Sequence, residues 1–179
     1  MRRLRGRNGR KLYRVIFAGV EGASEQAFLK WIERLCDELD IRVRFKIQNS
    51  SGGSPRQIID RAIRFRQSRT PAKNSLVLID KDKLSDHEER ELEQLAKKYR
   101  ITLIIQRPNF EGVLLRLHPG EETRRPSPEA VEKTLGRFWP NYEKPPTAQE
   151  LGARFGLENL VSLAKFDEDI ASLLKLIGL

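Results

Sequence analysis

The sequence predicts an α/β layered sandwich: a mostly parallel central sheet of about four strands, with a helical extension at its C-terminal end. Three observations predict it. Strand-like and helix-like stretches alternate four times between Tyr13 and His118. The run Leu76-Val77-Leu78-Ile79 is continuously apolar, which suits a strand covered on both faces. Ile41, Val43, Phe45 and Ile47 instead alternate with Arg42, Arg44, Lys46 and Gln48, the pattern of a strand at or near a sheet edge.

Length and composition bound the rest. A chain of 179 residues suggests one domain, and 39% hydrophobic content is enough for a core. Charged residues make up 33% and the formal net charge is +9, so a polyanion such as nucleic acid is an expected partner. The single cysteine, Cys36, excludes an internal disulfide and any multi-cysteine metal site, and its place on an apolar helical face suits the core. No apolar run reaches membrane-spanning length, and the basic N-terminus lacks the apolar stretch of a signal peptide. A cytoplasmic protein without a membrane partner is therefore expected, and an oligomer is compatible with these features.

In chain order, residues 1–11 form a basic flexible arm that is almost free of apolar residues. Arg2, Arg3 and Arg5 either contact phosphates there or are simply solvated. Residues 12–118 form the α/β domain. Tyr13–Val20 is a β-branched and aromatic strand ending at Glu21-Gly22. Phe28, Leu29, Ile32, Leu35, Cys36 and Leu39 recur at helical spacing, predicting a helix over 24–39. After the alternating strand, Ser54 reads as an N-cap and Pro55 as the first residue of a second helix. The apolar run through Ile79 is the third strand and ends in Asp80-Lys81-Asp82. Ser85 and Glu88 form a capping box for a charged helix reaching Tyr99. Ile101–Ile105 is a fourth strand, and a short helix follows over 112–118. Seven of the nine prolines lie between Pro108 and Pro146, which makes 119–146 irregular apart from a helix begun at Ser127-Pro128. Thr147 and Glu150 form another capping box, and two or three short helices end the 119–179 segment, which is expected to pack on the same domain.

Chemistry is expected where the strands end, since open parallel sheets bind ligands at that edge. Glu21 follows the first strand, and Asp80 and Asp82 end the third. Spaced i, i+2 on a continuing strand, the two aspartates would project together, and with Glu21 they could hold a hard divalent ion such as Mg²⁺ or Mn²⁺. The alternative is a loop aspartate, a solvated aspartate and a first-turn helix glutamate. Glu111, after the fourth strand, either completes a second metal position or is likewise a first-turn glutamate; Glu25 either supports the site or lies in solvent. Lys81 should point away from the aspartates, where it could still meet substrate phosphate. The turn Ser50-Ser51-Gly52-Gly53-Ser54 leads into a helix N-terminus but lacks the Gly-Lys-Ser/Thr ending of a P-loop. If it does bind phosphate, Arg56 is placed to help. His87 reads as a surface residue in a capping box, and His118 as a cation favoured at a helix end. Neither offers a zinc spacing or a serine triad.

Glu21-Gly22-Ala23-Ser24-Glu25 after the first strand, with Asp80-Lys81-Asp82 after the third, resembles a Toprim domain, the metal-binding domain of topoisomerases, bacterial primases and several nucleases. With Ser51-Gly52-Gly53-Ser54-Pro55 and Asn109-Phe110-Glu111-Gly112, the chain more narrowly resembles the RloB-like family of defence-associated proteins. The resemblance spans about residues 13–118 and implies a Toprim/Rossmann-like sandwich. It also implies Glu21 as acid/base or metal ligand, Asp80 and Asp82 as Mg²⁺ ligands, nucleic acid as substrate and a genomically linked ATPase as partner. Where that family carries an aromatic-rich run, this chain has Gly112-Val113-Leu114-Leu115.

Two functions are thus expected in competition. One is a Mg²⁺-dependent nuclease of phage defence that cleaves DNA or RNA. The other is a non-catalytic module that docks nucleic acid or an ATPase around a structural or decayed acidic site. A haloacid-dehalogenase phosphatase would carry its Asp-x-Asp after the first strand, not the third.

Overall fold

The structure, a computed structural model, describes residues 12–68 and 74–179. Residues 1–11, with Arg2, Arg3 and Arg5, lie outside the described residues. Four parallel strands form one sheet: β1 (Arg14–Val20), β2 (Val43–Asn49), β3 (Asn74–Asp80) and β4 (Thr102–Gln106), in the order β2-β1-β3-β4. Helices α1 (Ala23–Glu38), α2 (Pro55–Gln67) and α3 (Asp86–Tyr99) make the crossovers. After β4 come α4 (Phe110–Arg116), α5 (Pro128–Phe138), α6 (Ala148–Arg154), α7 (Leu157–Ala164) and α8 (Glu168–Ile177).

The period-two alternation of the strands builds two cores, one on each face of the sheet. Ile16, Ala18, Val20, Leu76, Leu78 and Ile104 enter the first core with the apolar faces of α1 and α4–α8. Phe17, Val77, Ile79 and Ile105 enter the second, under α2 and α3. The continuous apolar run of β3 is thus explained, because each of its faces meets a helical layer. β2 lies at the sheet edge, where one polar face is tolerated.

Local signals set the helix starts. Ser54, Ser85 and Thr147 each accept a hydrogen bond from the backbone N–H three residues on, from Gln57, Glu88 and Glu150. The C-terminal helices share the first core with α1. Trp31 of α1 meets Phe155 at 6.2 Å, and Phe28 meets Phe110 of α4 edge-on at 5.9 Å. Cys36 is fully buried in that core. No helix among the described residues is long and apolar enough to cross a membrane.

His118 corrects an expectation. It packs between Phe138 and Phe155, at 5.0 and 4.9 Å, and burial pushes its pKa down. It is a neutral aromatic here, not a cation at a helix end, because the desolvation of the ring outweighs the helix dipole. His87 is exposed, as its place in the α3 cap suggested.

Candidate functional site

β1 and β3 are neighbours and run the same way, so their C-terminal ends open on one edge. The chain leaves β1 at Glu21 and β3 at Asp80. Both carboxylates are buried, at 4% and 6% exposure. They line a cavity of about 230 Å³ with Gly22, Glu25, Gly52, Lys83 and Lys144. Gly52 closes one side. Its φ of +82° is the left-handed conformation that glycine adopts without strain, and its N–H donates to the Glu21 carbonyl at 3.1 Å.

Glu25 also lines the cavity, at 4% exposure, and accepts a hydrogen bond from the Gly22 N–H at 2.9 Å. It therefore belongs to the site rather than to solvent. Burial is the largest cause pushing its pKa up, and the Glu21 charge adds to it. Asp80 is pushed up to about 8, first by burial and then by the charges of Glu25, Glu21 and Asp82, with Lys83 opposing. One oxygen of each principal carboxylate, Glu21 Oε2 and Asp80 Oδ1, is buried without a hydrogen-bond partner. Buried acceptors left in this state are costly.

Asp82 does not join them as a strand would have placed it. β3 ends at Asp80, and Lys81–Lys83 form a 3₁₀ turn, so the period-two alternation stops one residue too early. Asp82 is exposed. Its N–H donates to the Pro108 carbonyl at 2.9 Å, and its carboxylate accepts from Asn109 at 3.3 Å. It reaches Asp80 through its charge. Among the described residues, no group of three or more Asp, Glu, His or Cys side chains is gathered to hold one metal ion. Mg²⁺, however, is commonly held by one or two carboxylates, with waters and phosphate oxygens completing its shell. Glu21 and Asp80, which line one cavity and each carry an oxygen without a hydrogen-bond partner, fit that coordination.

Glu111 lies at the first turn of α4 and is fully buried. Its carboxylate is committed to the Tyr142 hydroxyl at 2.9 Å and to the Lys144 ammonium at 2.9 and 3.1 Å. Burial pushes the Tyr142 phenol far up, and the Glu111 charge adds to this. Burial alone would lower the Lys144 pKa, but the Glu111 hydrogen bond and charge outweigh it and leave it raised. Glu111 thus anchors a lysine at the cavity wall in place of the metal-proximal role considered for it. That anchoring depends on a tight turn. An added Cβ on Gly112 would lie 2.4 Å from Pro108 Cδ and 2.6 Å from the Arg107 carbonyl oxygen. Gly112→Ala is expected to destabilise the protein by about 1–3 kcal/mol, because backbone and ring must move apart. Urea unfolding of the two proteins measures this.

The basic residues expected to hold phosphate are engaged elsewhere. Lys81 pairs with Asp86 at 2.8 Å and Glu89 at 2.7 Å, both on α3. Arg56 is exposed and pairs with Asp60 of its own helix at 3.3 Å. Instead, Lys83 and Lys144 face the cavity, and Lys83 hydrogen-bonds Glu21. The alternating Asp-Lys-Asp-Lys run offered a signal for Lys83. Nothing local marks Lys144 or Tyr142, which lie in the proline-rich segment and reach Glu111 only through the fold.

Searches of protein-family models, curated proteins and solved structures find no match to this chain.

Proposed function

We propose that this edge is the centre of a divalent-cation-dependent phosphodiesterase acting on nucleic acid, with Mg²⁺ or Mn²⁺ held by Glu21 and Asp80. Two buried acids that line one cavity, each with an oxygen lacking a hydrogen-bond partner, carry the reading. When bound, such an ion polarises a phosphoryl oxygen and lowers the pKa of a coordinated water. The chain's own residues supply the rest. Glu25 is buried beside the pair, where burial raises its pKa, and its carboxyl is placed to take part in proton transfer. Lys144, held by Glu111, whose carboxylate also accepts from the Tyr142 hydroxyl, offers a positive charge at the rim for a phosphate oxygen. The Gly22 N–H is committed to Glu25, and this orients the carboxyl toward the cavity. The Toprim and RloB-like resemblance implies the same roles for Glu21 and Asp80, and the net charge of +9 suits a polyanionic substrate.

The test is cleavage of plasmid and single-stranded substrates with Mg²⁺ or Mn²⁺, comparing wild type with Asp80→Ala and Glu21→Gln. Loss of one carboxylate is expected to slow cleavage by roughly 10²-fold or more. Unchanged cleavage in both variants removes the assignment.

One observation favours a second reading. Glu21 and Glu111 are each paired with a lysine, Lys83 and Lys144. Such pairs suit a structural acidic site in a module that docks nucleic acid or a genomically linked ATPase. Binding of nucleic acid that weakens steeply with salt, with no cleavage by wild type under any divalent ion, supports that module.

A further inference from the structure

Two buried carboxylates on adjacent strand ends repel each other unless a cation lies beside them. In this structure that cation belongs to the chain. Lys83, the last residue of the 3₁₀ turn, sends its ammonium to Glu21 Oε1 within the cavity that Asp80 also lines. The match is incomplete. One oxygen on each acid, Glu21 Oε2 and Asp80 Oδ1, remains buried without a partner. An ammonium is a compact point charge with three donors, whereas a divalent ion brings twice the charge and several coordination positions.

The lysines of this edge differ in how firmly they are held. Lys144 is held by both oxygens of Glu111, which also accepts from the Tyr142 hydroxyl, and Lys81 by Asp86 and Glu89. Lys83 and Lys144 are equally exposed, at 53% and 54%, but Lys144 reaches both oxygens of a fully buried Glu111, whereas Lys83 holds only one oxygen of Glu21. Lys83 belongs to neither core, so its half-exposed side chain can leave Glu21 without unpacking one.

We infer that Lys83 is a displaceable internal cation: it occupies the ion position against Glu21 in the metal-free protein and is expelled when a divalent cation binds. The inference rests on the metal reading of the preceding subsection. It makes Lys83 a positioning residue that sets ion affinity, and it gives the chain a way to keep its acids compensated when no ion is present. The ion binds only the fraction of molecules whose lysine has left, so its apparent affinity is reduced by that fraction.

The experiment is calorimetric titration of the full chain with Mg²⁺ and Mn²⁺, together with thermal unfolding in chelator and in saturating ion. The proteins compared are wild type, Lys83→Met and Lys144→Met. Lys83→Met is expected to bind the ion at least about tenfold more tightly than wild type. In chelator it should melt below wild type; in saturating ion it should melt level with wild type or above. Lys144→Met removes the same charge from the same cavity but should gain less affinity and remain destabilised with ion, because Glu111 is left unpaired. Lys83→Met destabilised equally with and without ion, or gaining no more affinity than Lys144→Met, overturns the displacement while the metal reading stands. Absence of binding by both wild type and Lys83→Met overturns the two together.

Discussion

Asp80→Asn is expected to stabilise the metal-free protein near pH 8 and to leave it almost unchanged near pH 4. The Asp80 carboxyl is raised from its ordinary 3.8 to about 8, chiefly by burial and then by Glu25 and Glu21. The folded state therefore holds a proton that the unfolded state has already released between those values. Stability associated with this group is fully present below about pH 4 and is lost as pH rises toward about 8. Asparagine has the same shape and no proton to lose, so the gap between variant and wild type should widen across that window to a few kcal/mol. Chemical denaturation in chelator at a series of pH values measures the gap. Saturating Mg²⁺ should reverse its sign, since only wild type keeps both ligands and gains stability from the bound ion. A flat difference across pH would mean that Asp80 is ionised and compensated in the folded protein.

Arg116→Met is expected to cost more stability than Gly112→Ala or Lys83→Met. Arg116 lies in α4, is 1% exposed, and donates from Nε to the Gly112 carbonyl and from Nη2 to the Arg107 carbonyl, each at 3.1 Å. Its Nη1 pairs with Asp167, which is 12% exposed and caps α8 by accepting from the Ile170 N–H at 3.0 Å. One side chain thus joins the tight turn after β4, α4 and the start of the last helix. Methionine fills much of the volume but leaves a nearly buried carboxylate without its cation, at a cost of about 3–5 kcal/mol. Adding Asp167→Asn should recover part of that loss while keeping the cap acceptor. Urea unfolding of the single and double variants measures both. A cost below about 1 kcal/mol for Arg116→Met would place this pair with the solvent-screened ones.

Much of the fold was legible because its signals are local. The uninterrupted apolar run Leu76–Ile79 marks a strand with helices on both sides, and the two-layer core bears that out. The alternation through Val43 and Phe45 marks an edge strand, and β2 is one. Ser54, Ser85 and Thr147 declared their helices because a cap is a contact over three residues. The site was legible in part for the same reason. Glu21 and Asp80 each end a strand, and parallel neighbours bring such ends together. Asp82 misled because the spacing argument assumes that the strand continues. The 3₁₀ turn ends it at Asp80, in a place where the backbone bonds to Pro108 from a distant loop.

The order of hydrophobic and polar residues, with its caps and breakers, was enough to determine four strands, their helices and the edge on which two acids meet. Only the tertiary structure decided what surrounds those acids. Lys83 turns inward to Glu21, Lys144 arrives from the proline-rich segment to neutralise Glu111, and Lys81 turns away to α3. The physical reason is range. Backbone periodicity and capping are settled within a few residues, whereas the charge state of a buried carboxylate depends on every charge and every lost water around it, whichever part of the chain supplies them.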